Sequence, residues 1–157
     1  MREQFGDLFS FPADWVCIPT NGQISQVTGR AVMGKGVAIQ AQRRYPEIDS
    51  VLGLRLQTQG NHVHLLGSWG KKLVFSFPTK EDWRKGSPLD LLIQSCSELH
   101  EIFMISLSTP RIVLLPQIGC GVGGLLWEDV REVIQEKNLL PENNFVFLQY
   151  SPTLEHC

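Results

Sequence analysis

The chain has 157 residues, 43% of them apolar and 19% charged, with a formal net charge of −2. Such a length and apolar content fit one domain over residues 1–157, and the near-neutral charge removes any general attraction to nucleic acid. A polyanion contact would have to be local, at Arg43-Arg44 or within Lys80 to Lys85. Cys17, Cys96, Cys120 and Cys157 form no C-x-x-C pair and meet no clustered histidines, so neither a metal site nor a disulfide framework is expected. With no charged-then-apolar leader, and no apolar run near the roughly 20 residues that span a bilayer, the chain is read as a soluble cytoplasmic protein.

In chain order, Ala13 to Pro19 is a short apolar run between turn-formers, the pattern of a buried strand, ended by Thr20-Asn21-Gly22. Gly36 to Tyr45 has helix-forming residues with apolar spacing suited to one face, and Pro46 stops it. The pair Gly34 and Gly36 therefore sits at a helix N-terminus. His62 to Leu66 and Leu73 to Phe77 read as two strands, a hairpin or close neighbours, around the polar turn Gly67 to Lys72. Leu89 to Ile105 reads as a long amphipathic helix with Ser87 as its cap and Pro88 in its first turn. Ile112 to Leu115 is a buried strand, Glu128 to Lys137 a helix and Phe145 to Gln149 a last strand. Strands alternating with helices predict an α/β sandwich with a largely parallel interior.

The most informative segment is Pro116 to Leu125, which leaves an apolar strand and precedes a helix. Gly119, Gly121, Gly123 and Gly124 bring bare backbone N–H groups close to a ligand, an arrangement suited to phosphate. Gly119, Gly121 and Gly124 fit G-x-G-x-x-G, but so late in the chain that an ordinary dinucleotide-binding first unit is not expected. A plain strand-to-helix turn needs one glycine, not four. Cys120, inside this loop, has no histidine dyad and is read as a packing residue. Likewise, His62 and His64 alternate on one strand face without further ligands and are read as structural, as is Trp127. Trp83, beside Lys80, Arg84 and Lys85, is balanced between packing and contact with a target.

Taken together these segments resemble the macrodomain family. The resemblance rests on Gly6-Asp7-Leu8-Phe9, Ala13-Asp14 and Pro19-Thr20-Asn21, on Gly29 to Ala38 as a first loop, and on Pro116 to Leu125 as a second. It implies a three-layer α/β/α fold with a mixed, largely parallel central sheet, and an ADP-ribose pocket without metal or cofactor. Phe77-Pro78-Thr79-Lys80 with Trp83-Arg84 is similar to the branch holding the DarG-type DNA ADP-ribosyl glycohydrolase antitoxins and the terminal ADP-ribose protein glycohydrolases. That resemblance implies Lys80 as the catalytic residue, facing the distal ribose, and Asn21 as the partner that hydrogen-bonds its hydroxyls. The protein glycohydrolases carry an aspartate where this chain has Gly123, which favours the DNA-directed type and argues against a two-residue Lys/Asp mechanism.

The residues expected to line ADP-ribose are Asp7 and Leu8, Asn21, Met33, Gly34, Lys35, Gly36, Val37, Thr79, Ile118, Gly119, Cys120, Gly121, Val122, Gly123, Gly124, Leu125 and Tyr150. Asp7 is implied to accept from the adenine amine, against the plainer reading of a turn aspartate. Tyr150 is implied to flank the adenine, against that of an edge aromatic. Pro78 fixes the chain where it leaves a strand, which would direct Lys80 into the cleft. A primary amine there could trap the opened sugar aldehyde as a Schiff base or orient the ring oxygen. The expected activity is release of ADP-ribose from a modified macromolecule, DNA before protein. A reader module without turnover and a phosphatase acting on ADP-ribose 1''-phosphate are the alternatives. A cognate ADP-ribosyltransferase toxin and a monomeric state complete the expectations.

Overall fold

The computed structural model describes residues 1–82, 84–120 and 123–149. Six strands form one sheet: β1 (Arg2–Phe5), β2 (Trp15–Asn21), β3 (His64–Trp69), β4 (Lys72–Lys80), β5 (Val113–Pro116) and β6 (Phe145–Gln149), in the order β1-β6-β5-β2-β4-β3. Every neighbouring pair is parallel except β3–β4, which is an antiparallel hairpin. The sheet is therefore mixed and largely parallel, as expected. Because β1, β2, β4, β5 and β6 run the same way, Phe5, Asn21, Lys80, Pro116 and Gln149 all end at one edge. In open parallel sheets that carboxyl edge is where ligands bind.

Alternation along the strands builds two cores. Val16 and Ile18 of β2, Leu114 of β5, and Val146 and Leu148 of β6 face helices α1 (Val37–Arg44) and α2 (Ile48–Gln59). Trp15 and Cys17, Leu115, Phe145 and Phe147 face the other way, toward α3 (Leu89–Ile105) and α4 (Trp127–Glu136). The pleat sends successive side chains to opposite faces, so strands buried on both sides must be apolar throughout. Burying one such Leu, Ile or Phe is worth about 1.5–3 kcal/mol. The result is a three-layer α/β/α sandwich.

Several expectations shift. β2 starts later and ends later than the apolar run Ala13 to Pro19, because its ladder with β4 carries Thr20 and Asn21 into the sheet. The β3–β4 turn is confined to Gly70-Lys71, with Gly67 to Trp69 inside the strand, and His62 precedes β3 instead of lying on it. Ser87 does not cap α3: the N-cap is Pro88, and no side chain bonds the first turn. Neither β1, a polar edge strand, nor α2 is among the expected elements. Within α2 Gly53 is enclosed, since a Cβ there would collide with the Gly29 carbonyl, and this is how the loop after β2 crosses the helix. Among the described residues no helix is long and apolar enough to cross a membrane.

Candidate functional site

The site begins with an irregularity in the β2–β4 ladder. Thr20 pairs with Pro78 and Asn21 with Lys80, so Thr79 is an extra residue on β4. Pro78 cannot donate to a ladder, and such a bulge turns the following side chain to a new direction. Pro78 is also clamped from behind, its carbonyl accepting from Ser95 Oγ of α3 at 2.6 Å. Thr79 is buried, and its hydroxyl donates to the Thr20 carbonyl at 3.4 Å. The Lys80 carbonyl accepts from Asn61 Nδ2 at 3.1 Å, and the Glu81 carbonyl from the Gly22 N–H at 3.1 Å. The backbone on both sides of Lys80 is thereby fixed. Asn61 escaped the sequence reading because its partners lie across the sheet edge.

Asn21 is buried, and its carboxamide holds the loop after β2. Nδ2 donates to the Val32 carbonyl at 2.8 Å, and Oδ1 accepts from the Gln23 N–H at 2.9 Å. A carboxamide has two N–H groups and two acceptor lone pairs, so one of each is left to meet a ligand. The same loop is anchored farther out by Asp49, whose carboxylate accepts from Arg30 and from Gln42. It then feeds α1 through Gly36, the N-cap, at φ 68°. No side chain caps this helix and no acid lies in its first turn, so the helix end is open to an anion. Met33 is buried in the core, and any contact from it has to be made by backbone, while Lys35 is exposed and Gly34 and Val37 flank the helix end.

The glycine loop follows β5. Ile118 is a core residue, and Gly119 has φ 77°, with space for a Cβ taken by Leu92 Cδ1 at 2.6 Å. The N–H groups of Cys120, Gly123 and Leu125 turn inward to the carbonyls of Gln117, Cys120 and Gly119. Donors for a ligand must therefore come from other positions of the loop. Gly121 and Val122, like Tyr150 and Trp83, lie outside the described residues. Burial raises the Cys120 thiol pKa, the reverse of what a nucleophile needs. Gly123 is buried against Ser87, and Gly124 is exposed.

At the β1 end of the sheet, Asp7 makes the turn contact expected of an aspartate there: its Oδ1 accepts from the Phe9 N–H at 3.4 Å. Leu8 is fully buried. Lys72 pins the same loop, its Nζ donating to the Phe9 and Phe11 carbonyls at 3.0 and 2.9 Å, and desolvation lowers its pKa. The basic run after Lys80 is less basic than its letters suggest. Arg84 makes a two-pronged bond to Asp82, and these hydrogen bonds hold the Asp82 carboxyl well below its ordinary range. Trp127 packs on Phe147 and donates to Glu3, the packing role expected of it.

No family model matches the chain. It is 31% identical over 124 residues to a DNA ADP-ribosyl glycohydrolase from Thermus aquaticus, over 75% of this chain and 34% of that protein. The chain thus spans about a third of the length of that curated relative. The solved macrodomain of Mycobacterium tuberculosis DarG superposes with a TM-score of 0.75 at 27% identity, covering 96% of this chain and 97% of that one. Thermosipho africanus DarTG in complex with ADP-ribose superposes at 0.71 with 20% identity, over 99% of this chain and 43% of that one, a likeness of fold alone. With its sheet order, its two loops at the carboxyl edge and these likenesses, the chain belongs to the macrodomain family, with a macrodomain of the DarG type.

Proposed function

We propose that the chain binds ADP-ribose along the carboxyl edge of its sheet and releases it from modified DNA, with Lys80 as the catalytic residue. The observation that carries this reading is the bulge that pairs Lys80 with Asn21 at the carboxyl edge, where an uncapped helix N-terminus and a glycine loop also begin. The strand order supports one direction for the ligand. Adenine lies by Asp7 at the β1–β6 end, the diphosphate over the loops after β2 and β5, and the distal ribose at the ends of β2 and β4. At the anomeric carbon the leaving base departs through an oxocarbenium-like state. The Lys80 amine takes the anomeric carbon as the base leaves with the bonding electrons and a proton, and water then hydrolyses the resulting Schiff base to free ADP-ribose and the amine. In the alternative the amine only steadies the ring oxygen while water attacks, and in both Asn21 orients the sugar hydroxyls.

The DNA ADP-ribosyl glycohydrolase name of the curated relative supports DNA over protein as the target. The lack of an acid at Gly123 supports chemistry centred on the lysine. A transferase that writes the same mark is the proposed partner. One chain supplies every group invoked, so the working unit is proposed to be a monomer, acting in the cytoplasm.

The test is release of free ADP-ribose from an ADP-ribosylated oligonucleotide, an ADP-ribosylated protein and ADP-ribose 1''-phosphate, side by side. Release from the oligonucleotide is expected to be fastest. Tight ADP-ribose binding without release from any of the three would make the chain a reader.

A further inference from the structure

Ser87 lies in the connection between β4 and α3. The residue is 6% exposed, and its Oγ is buried without a hydrogen-bond partner among the described residues. It does not cap α3, although its backbone N–H donates to the Gly123 carbonyl at 3.0 Å. An unpaired buried hydroxyl is destabilising, and alanine would fill the same place without that cost. Such an orphan calls for a partner, and the described residues supply none.

Its surroundings point to that partner. A Cβ built on Gly123 would lie 2.5 Å from Ser87 Oγ and 3.2 Å from Ser87 Cβ. The hydroxyl therefore stands where a side chain from position 123 of the glycine loop would begin. Ser87 lies on the connection that leaves β4 at the carboxyl edge just after Lys80, and its backbone is tied through Gly123 to the loop after β5. We infer that Ser87 is a ligand-contacting residue whose hydroxyl hydrogen-bonds the ribose distal to adenine when ADP-ribose fills the cleft. The inference rests on the ADP-ribose reading above. Since Oγ is enclosed in the free chain, this contact requires the hydroxyl to turn away from Gly123 when the ligand enters. In this arrangement Ser87 supplies the polar group that Gly123 cannot, and its presence keeps bulkier residues out of position 123.

The experiment compares wild type with Ser87→Ala by calorimetry, with ADP-ribose and with ADP as probes, and by thermal unfolding of the free proteins. Ser87→Ala is expected to unfold at the same or a higher temperature and to bind ADP, which has no distal ribose, like wild type. Its ADP-ribose affinity falls about three- to tenfold, the worth of one neutral hydrogen bond. Equal ADP-ribose affinities overturn the inference while leaving the pocket intact. A parallel loss for both probes, or a lower unfolding temperature, gives Ser87 a purely structural role and overturns it too. A wild-type chain that binds neither probe overturns the pocket reading, and the Ser87 contact with it.

Discussion

Asn21 and Lys80 face each other across the last rung of the β2–β4 ladder, just past the point where its register shifts. Each is held by different means. Asn21 is fixed through its side chain, which ties down Val32 and Gln23. Lys80 is fixed through its backbone, by Asn61 and by the Gly22–Glu81 bond that follows it. Replacing the lysine side chain should therefore leave the cleft standing, whereas replacing the asparagine should not.

Lys80→Ala is expected to unfold within a few degrees of wild type, since the backbone bonds on both sides of Lys80 stay. ADP-ribose affinity stays within a fewfold, and release from ADP-ribosylated DNA slows by about a hundredfold or more, as for loss of a group acting mainly in the transition state. Comparable release rates for the two proteins would remove Lys80 from the mechanism.

Asn21→Ala strips the Val32 carbonyl and the Gln23 N–H of their partners at once. Two buried groups left unpaired cost about 2–3 kcal/mol, or roughly 5–10 °C in unfolding temperature for a domain of this size. Binding and turnover should fall together, because the loop that leads to α1 loses its anchor. A stable Asn21→Ala protein with normal ADP-ribose binding would show that the loop holds itself.

Much of this architecture was legible in the sequence. Leu89 to Ile105 and Phe145 to Gln149 were bounded as found, because a long amphipathic period and a four-residue apolar run carry their own signal. β1 was invisible, since Arg-Glu-Gln-Phe is an edge strand whose pairing with β6 no hydropathy pattern announces. α2 was hidden by Gly53, a poor helix former that is there for the sake of the Gly29 crossing. Asp7, Asn21 and Lys80 came from motif likeness, and the glycine loop from its four glycines between an apolar strand and a helix. Asn61, Lys72 and Ser87, which hold or adjoin that set, act on residues distant in sequence and left no local mark.

The two ends of the glycine loop should respond differently to alanine. Gly119 has φ 77° and would press a Cβ on Leu92 at 2.6 Å and Leu125 at 3.0 Å. Gly119→Ala thus combines left-handed backbone strain with overpacking, about 2–4 kcal/mol in all. Gly124 has φ 82° but open space around it, so Gly124→Ala should cost only about 1–2 kcal/mol. Urea unfolding of the pair reads the difference directly, and equal losses would mean that Leu92 yields freely.

Glu98 of α3 ties the start of β3 to the helix, accepting from the Val63 N–H and from Gln94, and pairing with His62 Nδ1 at 2.9 Å. Burial alone would raise its carboxyl pKa, but these hydrogen bonds outweigh burial and lower it. A carboxyl lowered by folding contributes stability above its ordinary pKa near 4.5, and that contribution is lost as pH falls through the lowered value. Wild type should exceed Glu98→Gln by about 1 kcal/mol at pH 7, a modest figure because solvent screens the site. The gap should narrow in denaturant titrations as the pH falls below 4.5. A gap independent of pH would mean that shape, and not charge, is what Glu98 provides.

Gly53 offers the sharpest reversal of an ordinary rule. In an exposed helix interior, Gly→Ala stabilises by up to about 1 kcal/mol. Here the added methyl would run into the Gly29 carbonyl and the backbone of Arg30 and Ala31, groups that cannot swing aside as a flexible side chain can. The Ala31 N–H is already bonded to the Asp49 carbonyl, and Gln57 donates to the same Gly29 oxygen. Gly53→Ala should therefore destabilise by about 2–4 kcal/mol and, by pushing the loop off α2, weaken ADP-ribose binding at the α1 N-terminus about tenfold. A stabilised Gly53→Ala protein would mean that the loop after β2 is not held against α2 in solution.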